Sequence, residues 1–242
     1  MTQIKTISRP LQSRSEIELL RGANQRISSH LGWLTDLVKA KAGAVASGPN
    51  TLSREEVTTL LEETAAKIFV VGHLHHRLAE HPSRLEVELS DYVADVCFAL
   101  ISSLALDSRV SVMNRTTSKC MASSERAQFI GLMVGEILMN AVKYAHPTGI
   151  PVRFTIECRN RGDGGIVLSL RDDGVGLPEG MDGSSEGGTG FRLIRSLASS
   201  LAARLRIESD PLGLSFVLEF PSEAQSVDEL SASAANVYKF PK

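Results

Sequence analysis

Cysteine is scarce in this chain, charge is nearly balanced, and no apolar run is long. The three cysteines, Cys97, Cys120 and Cys158, are scattered and odd in number. That excludes a disulfide framework and matches no metal-ligand spacing, so they are expected to be reduced core thiols in a cytoplasmic protein. The 26 Lys and Arg against 28 Asp and Glu leave a formal net charge of −2. A bias toward nucleic acid or anionic membrane is thereby excluded. The most apolar run, residues 96–106, falls far short of the ~20 residues that a membrane helix needs. The N-terminal MTQIKTISRPLQS has no hydrophobic signal region, so neither export nor membrane insertion is expected. What is present is an ordinary globular composition, 43% hydrophobic and 22% charged over 242 residues. This is enough for one large or two small domains with real cores.

Taken in order, residues 1–14 read as a weakly ordered lead. From Ser15 the apolar positions Ile17, Leu20, Ile27, Leu31, Leu34 and Val38 fall at helical spacing in a narrow stripe. Ser47, Gly48, Pro49 and Asn50 break that helix near Ala46. Ser53 with Glu56 is a capping box. It opens a second helix whose stripe runs through Val57, Leu60, Leu61, Thr64, Ile68, Val71, Leu74 and Leu78 and ends before Pro82. Two such helices form a hairpin over residues 15–82. One hairpin leaves an apolar edge on each helix, so a dimeric four-helix bundle is its natural completion. Beyond it the pattern predicts helices near 90–106 and 125–144, and strands at 109–113, 152–158, 166–170, 204–209 and 214–220. The hairpin is thus followed by an α/β sandwich over residues 83–221, an α+β chain in total. Residues 222–242, rich in Ser and Ala, read as a loosely attached tail.

Two clusters stand out from this frame. The first is residues 171–198, RDDGVGLPEGMDGSSEGGTGFRLIRSLA, a strand end, an Asp-rich turn, a glycine loop and a helix opening near Thr189. Gly183, Gly187, Gly188 and Gly190 let backbone N–H groups approach a ligand closely. A helix N-terminus beside them adds free donors and a positive dipole end, an anion site. Asp172, with Gly174 and Gly176, sets one carboxylate beside a tight turn; a buried carboxylate suits the amino group of adenine. The second cluster is GEILMNAVKY, in which Glu136, Asn140 and Lys143 at i, i+4 and i+7 share one helix face. The Asn140 amide oxygen is a hard neutral ligand for Mg²⁺ arriving with phosphates. Lys143 can neutralise phosphate charge, and Glu136 can position or deprotonate a nucleophile.

Residues 135–147, GEILMNAVKYAHP, resemble the N box of histidine protein kinases, RDDGVG their first glycine box, and GGTGFRLIRSLA their second. Order and separation match the ATP-binding fold shared with DNA gyrase, Hsp90 and MutL-type ATPases. RGANQRISSHLGWL resembles the phosphoacceptor region of the HWE-related kinases, and LEVELSDYVADVC the segment that joins such a hairpin to its catalytic domain. The resemblance covers residues 16–221. It implies that Asp172 binds adenine, that Gly174 and Gly176 shape its pocket, and that Asn140 holds Mg²⁺ with Glu136 and Lys143 around the phosphates. It also implies that Gly188 and Gly190 border the triphosphate, and that residues 184–187 belong to a short ATP lid. Partners implied are a second copy through residues 15–82 and the receiver domain of a response regulator, with input arriving from another chain or segment. Three departures stand out. Asp173 occupies a position where many relatives carry Asn. The Trp-x-Glu signature of the HWE class proper is absent, the one tryptophan being Trp33. The acceptor histidine expected immediately before Arg26 is Gln25, so the alternative is a kinase-shaped, nucleotide-binding regulator that transfers no phosphate.

Overall fold

In a computed structural model of the chain, the described residues are 52–80, 86–181 and 189–222, together with scattered helical positions between 28 and 47. Two compact units divide the chain, Met1–Thr58 and Thr59–Lys242. Of the predicted first helix, Leu34 is buried while Leu31 and Val38 are exposed; Gln25 lies outside the described residues.

Helix α1 (Arg54–Glu80) starts where the capping box predicts. The Ser53 backbone N–H donates to Glu56 Oε2 at 2.7 Å, and the Glu56 N–H donates to Ser53 Oγ at 3.2 Å. Each side chain thus satisfies a backbone donor at a helix end that has no intrahelical acceptor. The buried face of α1 matches the predicted stripe only in part. Val71 of the stripe is buried, but Val57, Leu61 and Ile68 are 39%, 61% and 51% exposed, and Ala66, Lys67 and Val70, outside the stripe, are buried.

Two short strands, β1 (Glu86–Glu88) and β3 (Met121–Ser123), pair antiparallel in a ribbon of their own. Glu88 caps helix α2 (Leu89–Ser103) by accepting from the Asp91 N–H at 2.7 Å, and its other oxygen accepts from the Cys120 N–H at 3.0 Å. One carboxylate therefore ties the helix start to the ribbon. Strand β2 (Val110–Asn114) follows, and then the central helix α3 (Ser124–Tyr144), capped by Ser123. After it come β4 (Val152–Asn160), β5 (Ile166–Asp172), helix α4 (Thr189–Ser200), β6 (Arg204–Asp210) and β7 (Gly213–Phe220).

The main sheet has the order β2-β4-β5-β7-β6, parallel only between β2 and β4. Burial alternates along β4, whose Phe154 and Ile156 are fully inside with Leu168, Leu170, Leu218 and Phe220 of its neighbours. That period of two marks a sheet with one face on a core. Helices α2, α3 and α4 supply the second layer, giving an α/β sandwich. Cys97, Cys120 and Cys158 are buried and free, and burial pushes the Cys97 and Cys158 thiols far above the usual range. Thiolate chemistry at those two positions is therefore suppressed. Among the described residues no helix is long and apolar enough to cross a membrane.

Candidate functional site

Between α3, the turn after β5 and the start of α4 lies a cavity of about 750 Å³. Its lining includes Glu136, Asn140 and Lys143 from α3, Asp172 and Gly176 from the β5 turn, and Gly190 and Phe191 from α4. The spacing of 4 and 3 residues puts the three polar side chains of α3 in one row, while Met133, Ile137 and Ala141 are buried beside them. The helix is thus anchored by its apolar side and presents its polar row to the cavity.

At one end Asp172 closes β5. It is buried, and its Oδ1 accepts from the Gly174 N–H at 2.9 Å and from the Leu214 N–H at 3.2 Å. Both bonds end on Oδ1, so Oδ2 is the oxygen left for a ligand. Burial is the largest influence on this carboxyl and raises its pKa; the two N–H donors and His146 oppose the rise, and Asp173 adds to it. An acid whose folded pKa is raised binds its proton more tightly folded than unfolded. Stability therefore falls as pH rises from the unfolded value, near 3.9, through the folded one. Asp172→Asn, which keeps an oxygen for Gly174 and Leu214, is expected to raise Tm at pH 7. That advantage should fade as pH drops toward 4, as thermal melts across pH would show.

The glycines around Asp172 are places of close approach. A side chain at Gly174 would strike Ala145, whose carbonyl accepts from the Val175 N–H at 2.9 Å. Gly176 has φ +74° and its missing Cβ would meet the Asp210 carbonyl oxygen. The turn can therefore tuck between the end of α3 and the β6–β7 corner. Asp173, adjacent in sequence, fastens the turn instead of facing the ligand space. It accepts from the Arg153 N–H at 2.8 Å and lies 3.2 Å from His146 Nε2.

At the other end of the cavity the Glu136 carboxylate and the Asn140 amide lie against Gly190, where any side chain would collide with Glu136. Asn140 Nδ2 is buried with no hydrogen-bond partner. Such an orphan costs roughly 1–3 kcal/mol and calls for an explanation. A phosphate oxygen placed there would satisfy it, and the same amide rotated would offer its oxygen to a cation. Among the described residues no group of three His, Cys, Asp or Glu could hold a metal alone. A metal at Asn140 would therefore need ligands brought by phosphates, as Mg²⁺ commonly does. The donor set fits Mg²⁺ bound to a nucleotide.

Of the residues that the sequence singled out, Glu136, Asn140, Lys143, Asp172, Gly176 and Gly190 line one cavity, and Gly174 shapes its wall. Gly188 lies outside the described residues, as does the rest of 182–188. Lys67 was not singled out. It lines the same cavity from α1, with Nζ 2.7 Å from Glu136 Oε2. Phe191 and Phe216 were also missed; they line the cavity with ring centroids 5.7 Å apart.

Known proteins share this fold. The family model for the histidine kinase-, DNA gyrase B-, and HSP90-like ATPase matches residues 125–224. The chain is 25% identical over 211 residues to the blue-light-activated histidine kinase 2 of Erythrobacter litoralis, covering 85% of this chain and 58% of that protein. It is 23% identical over 201 residues to the sensor histidine kinase PdtaS of Mycobacterium tuberculosis, covering 83% of this chain and 38% of that one. The chain therefore spans less than two thirds of either relative. Among solved structures, the histidine kinase domain of the Erythrobacter litoralis blue-light activated kinase superposes with a TM-score of 0.61 at 19% identity, over 90% of this chain and 97% of that one.

Proposed function

Taking as premise that residues 125–224 belong to the histidine kinase-, gyrase B- and HSP90-like ATPases, we propose that this chain is the core of a two-component histidine kinase that binds Mg-ATP. The observation behind this reading is one cavity with complementary ends. At one end is a buried carboxylate with a free oxygen, at Asp172, and at the other an orphaned amide, at Asn140, beside a helix N-terminus. We assign adenine to Asp172 and the walls of its pocket to Gly174 and Gly176. Mg²⁺ and phosphates go to Asn140 and Lys143, with Gly190 and Gly188 alongside.

When bound, Mg-ATP supplies a phosphoryl group for transfer. The chain's own residues position it. Asp172 accepts from the adenine amine, and the start of α4 is assigned to offer N–H donors to anionic oxygens. We assign Glu136 the role of base or orienting acid for the nucleophile. We assign residues 15–82 to a hairpin for dimerisation and for the response-regulator receiver domain, and residues 83–221 to the ATP-binding domain. Gln25 holds the acceptor position. Its amide nitrogen is delocalised and not nucleophilic, which favours a second reading: a nucleotide-binding scaffold that controls a response regulator without phosphorylating itself.

Calorimetry with ATP and ADP in Mg²⁺ tests the nucleotide reading, and absence of binding heat with folded protein would sink it. Dimerisation has a separate test. Val57, Leu61 and Ile68 leave an exposed apolar edge on α1, and a contiguous patch of that kind marks an interface. Light scattering should give twice the 26.1 kDa chain mass. Because Leu61 and Ile68 are exposed, Leu61→Asp with Ile68→Asp should yield a folded monomer, with dimer affinity down about 100-fold or more. A folded double variant that remains dimeric would move the interface elsewhere.

A further inference from the structure

Lys67 lies outside the matched ATPase segment, on α1, yet it lines the cavity. The Lys67 and Glu136 side chains are 8% and 9% exposed, and their charged atoms are 2.7 Å apart. Small residues admit the helix here. Ala66, Lys67 and Val70 border a narrow gap with Leu132, Gly135, Glu136 and Met139, and a Cβ at Gly135 would stand 3.0 Å from Val70 Cγ2.

A buried ion pair is a poor way to gain stability, because desolvation of both charges consumes most of the attraction. Two apolar residues would fill the same space at no such cost. The charge at position 67 therefore calls for a role at the cavity. That role follows from what stands beside it. Glu136 lines the end of the cavity that holds Asn140, Lys143 and Gly190, so its carboxylate faces the same space as an incoming polyphosphate. Two anions there repel each other unless a cation stands between them. A lysine has three N–H donors on a flexible stem. It can keep one donor on Glu136 and offer another to a phosphate oxygen.

We propose that Lys67 is a ligand of the terminal phosphate of a bound nucleoside triphosphate, contributed by α1 rather than by the ATPase domain. Triphosphate and diphosphate are then distinguished by a side chain of α1, and the presence of the last phosphate is felt directly there. This rests on the nucleotide reading above.

The test is calorimetric titration of the full chain with ADP and with a non-hydrolysable ATP analogue, both in Mg²⁺, on wild type, Lys67→Met and Lys67→Arg. Lys67→Met should weaken the triphosphate about 10-fold or more while ADP changes less than about 2-fold, the loss of one charged hydrogen bond. Lys67→Arg should restore most of the preference. ADP binding reports the fold of each variant. Should Lys67→Met lose ADP as well, Lys67→Gln keeps an N–H toward Glu136 without the charge and is judged by the same ratio. An unchanged triphosphate-to-diphosphate ratio in a variant that binds ADP overturns the proposal, as does tighter triphosphate binding, which would make Lys67 a plug. Wild-type protein that binds neither nucleotide overturns the nucleotide reading itself, and this inference with it.

Discussion

Asp172→Ala is expected to weaken adenine nucleotide binding about 10- to 100-fold. One charged hydrogen bond to a neutral amine, roughly 1.5–3 kcal/mol, accounts for that range. The scaffold adds to the loss. Oδ1 also holds the Gly174 and Leu214 N–H groups at 2.9 and 3.2 Å, so truncation leaves two buried donors unpaired and loosens the turn that walls the cavity. Asp172→Asn separates the two effects. It keeps an oxygen on both backbone donors and turns an NH₂ toward the adenine amine, donor against donor. Affinity should therefore fall nearly as far while the fold is retained and, at pH 7, gains stability. Opposite signs for stability and affinity are what a ligand site predicts, since a raised acid pKa is a cost of folding that binding can use. Calorimetry paired with thermal melts would measure both. Full affinity in either variant removes Asp172 from adenine recognition.

The order of helices and strands was legible because the signals are local. The Ser53–Glu56 box, the i, i+4, i+7 row on α3 and the alternation along β4 need no knowledge of distant partners. The buried face of α1 was only partly legible. Of the predicted apolar stripe Val71 is inside, but Val57, Leu61 and Ile68 are exposed, while Ala66 and Val70 are inside. A helix with two apolar edges does not say which one its own chain covers. Lys67 was hidden for the same reason: a lysine between apolar positions reads as solvated until its partner, Glu136, is brought to it across 69 residues of chain. The β1–β3 ribbon escaped because three-residue strands paired at long range carry little pattern. Asp173 shows the limit of motif reading. It sits in the glycine-box motif, yet it bonds to Arg153 and lies beside His146, fastening the turn from outside the cavity lining.

Gln25→His is expected to convert a chain that does not label itself into one that does. In the sequence its neighbours Asn24 and Ile27 belong to the predicted apolar stripe, so the sequence pattern predicts position 25 at the stripe's edge. The chemistry of the two side chains decides the outcome. Imidazole has an unperturbed pKa near 6.5, so at pH 7 much of it is neutral, with a nitrogen lone pair ready to attack phosphorus. The glutamine nitrogen shares its lone pair with the carbonyl and cannot form the phosphoramidate. With radiolabelled ATP and Mg²⁺, wild type should incorporate nothing at position 25, and Gln25→His should gain acid-labile label. Asn140→Asp in the same background should reduce it sharply, because a carboxylate in place of the amide changes the charge at the position proposed for metal and phosphates. Label on the wild-type chain would point to another acceptor. His76 is then the first candidate, being exposed, ahead of His73, which is half-buried and stacked on Phe69 with ring centroids 6.0 Å apart; His30 and His75 complete the set for single replacement. If Gln25→His binds ATP with wild-type affinity and still takes no label, the missing histidine is not what silences the chain, and the scaffold reading replaces the kinase.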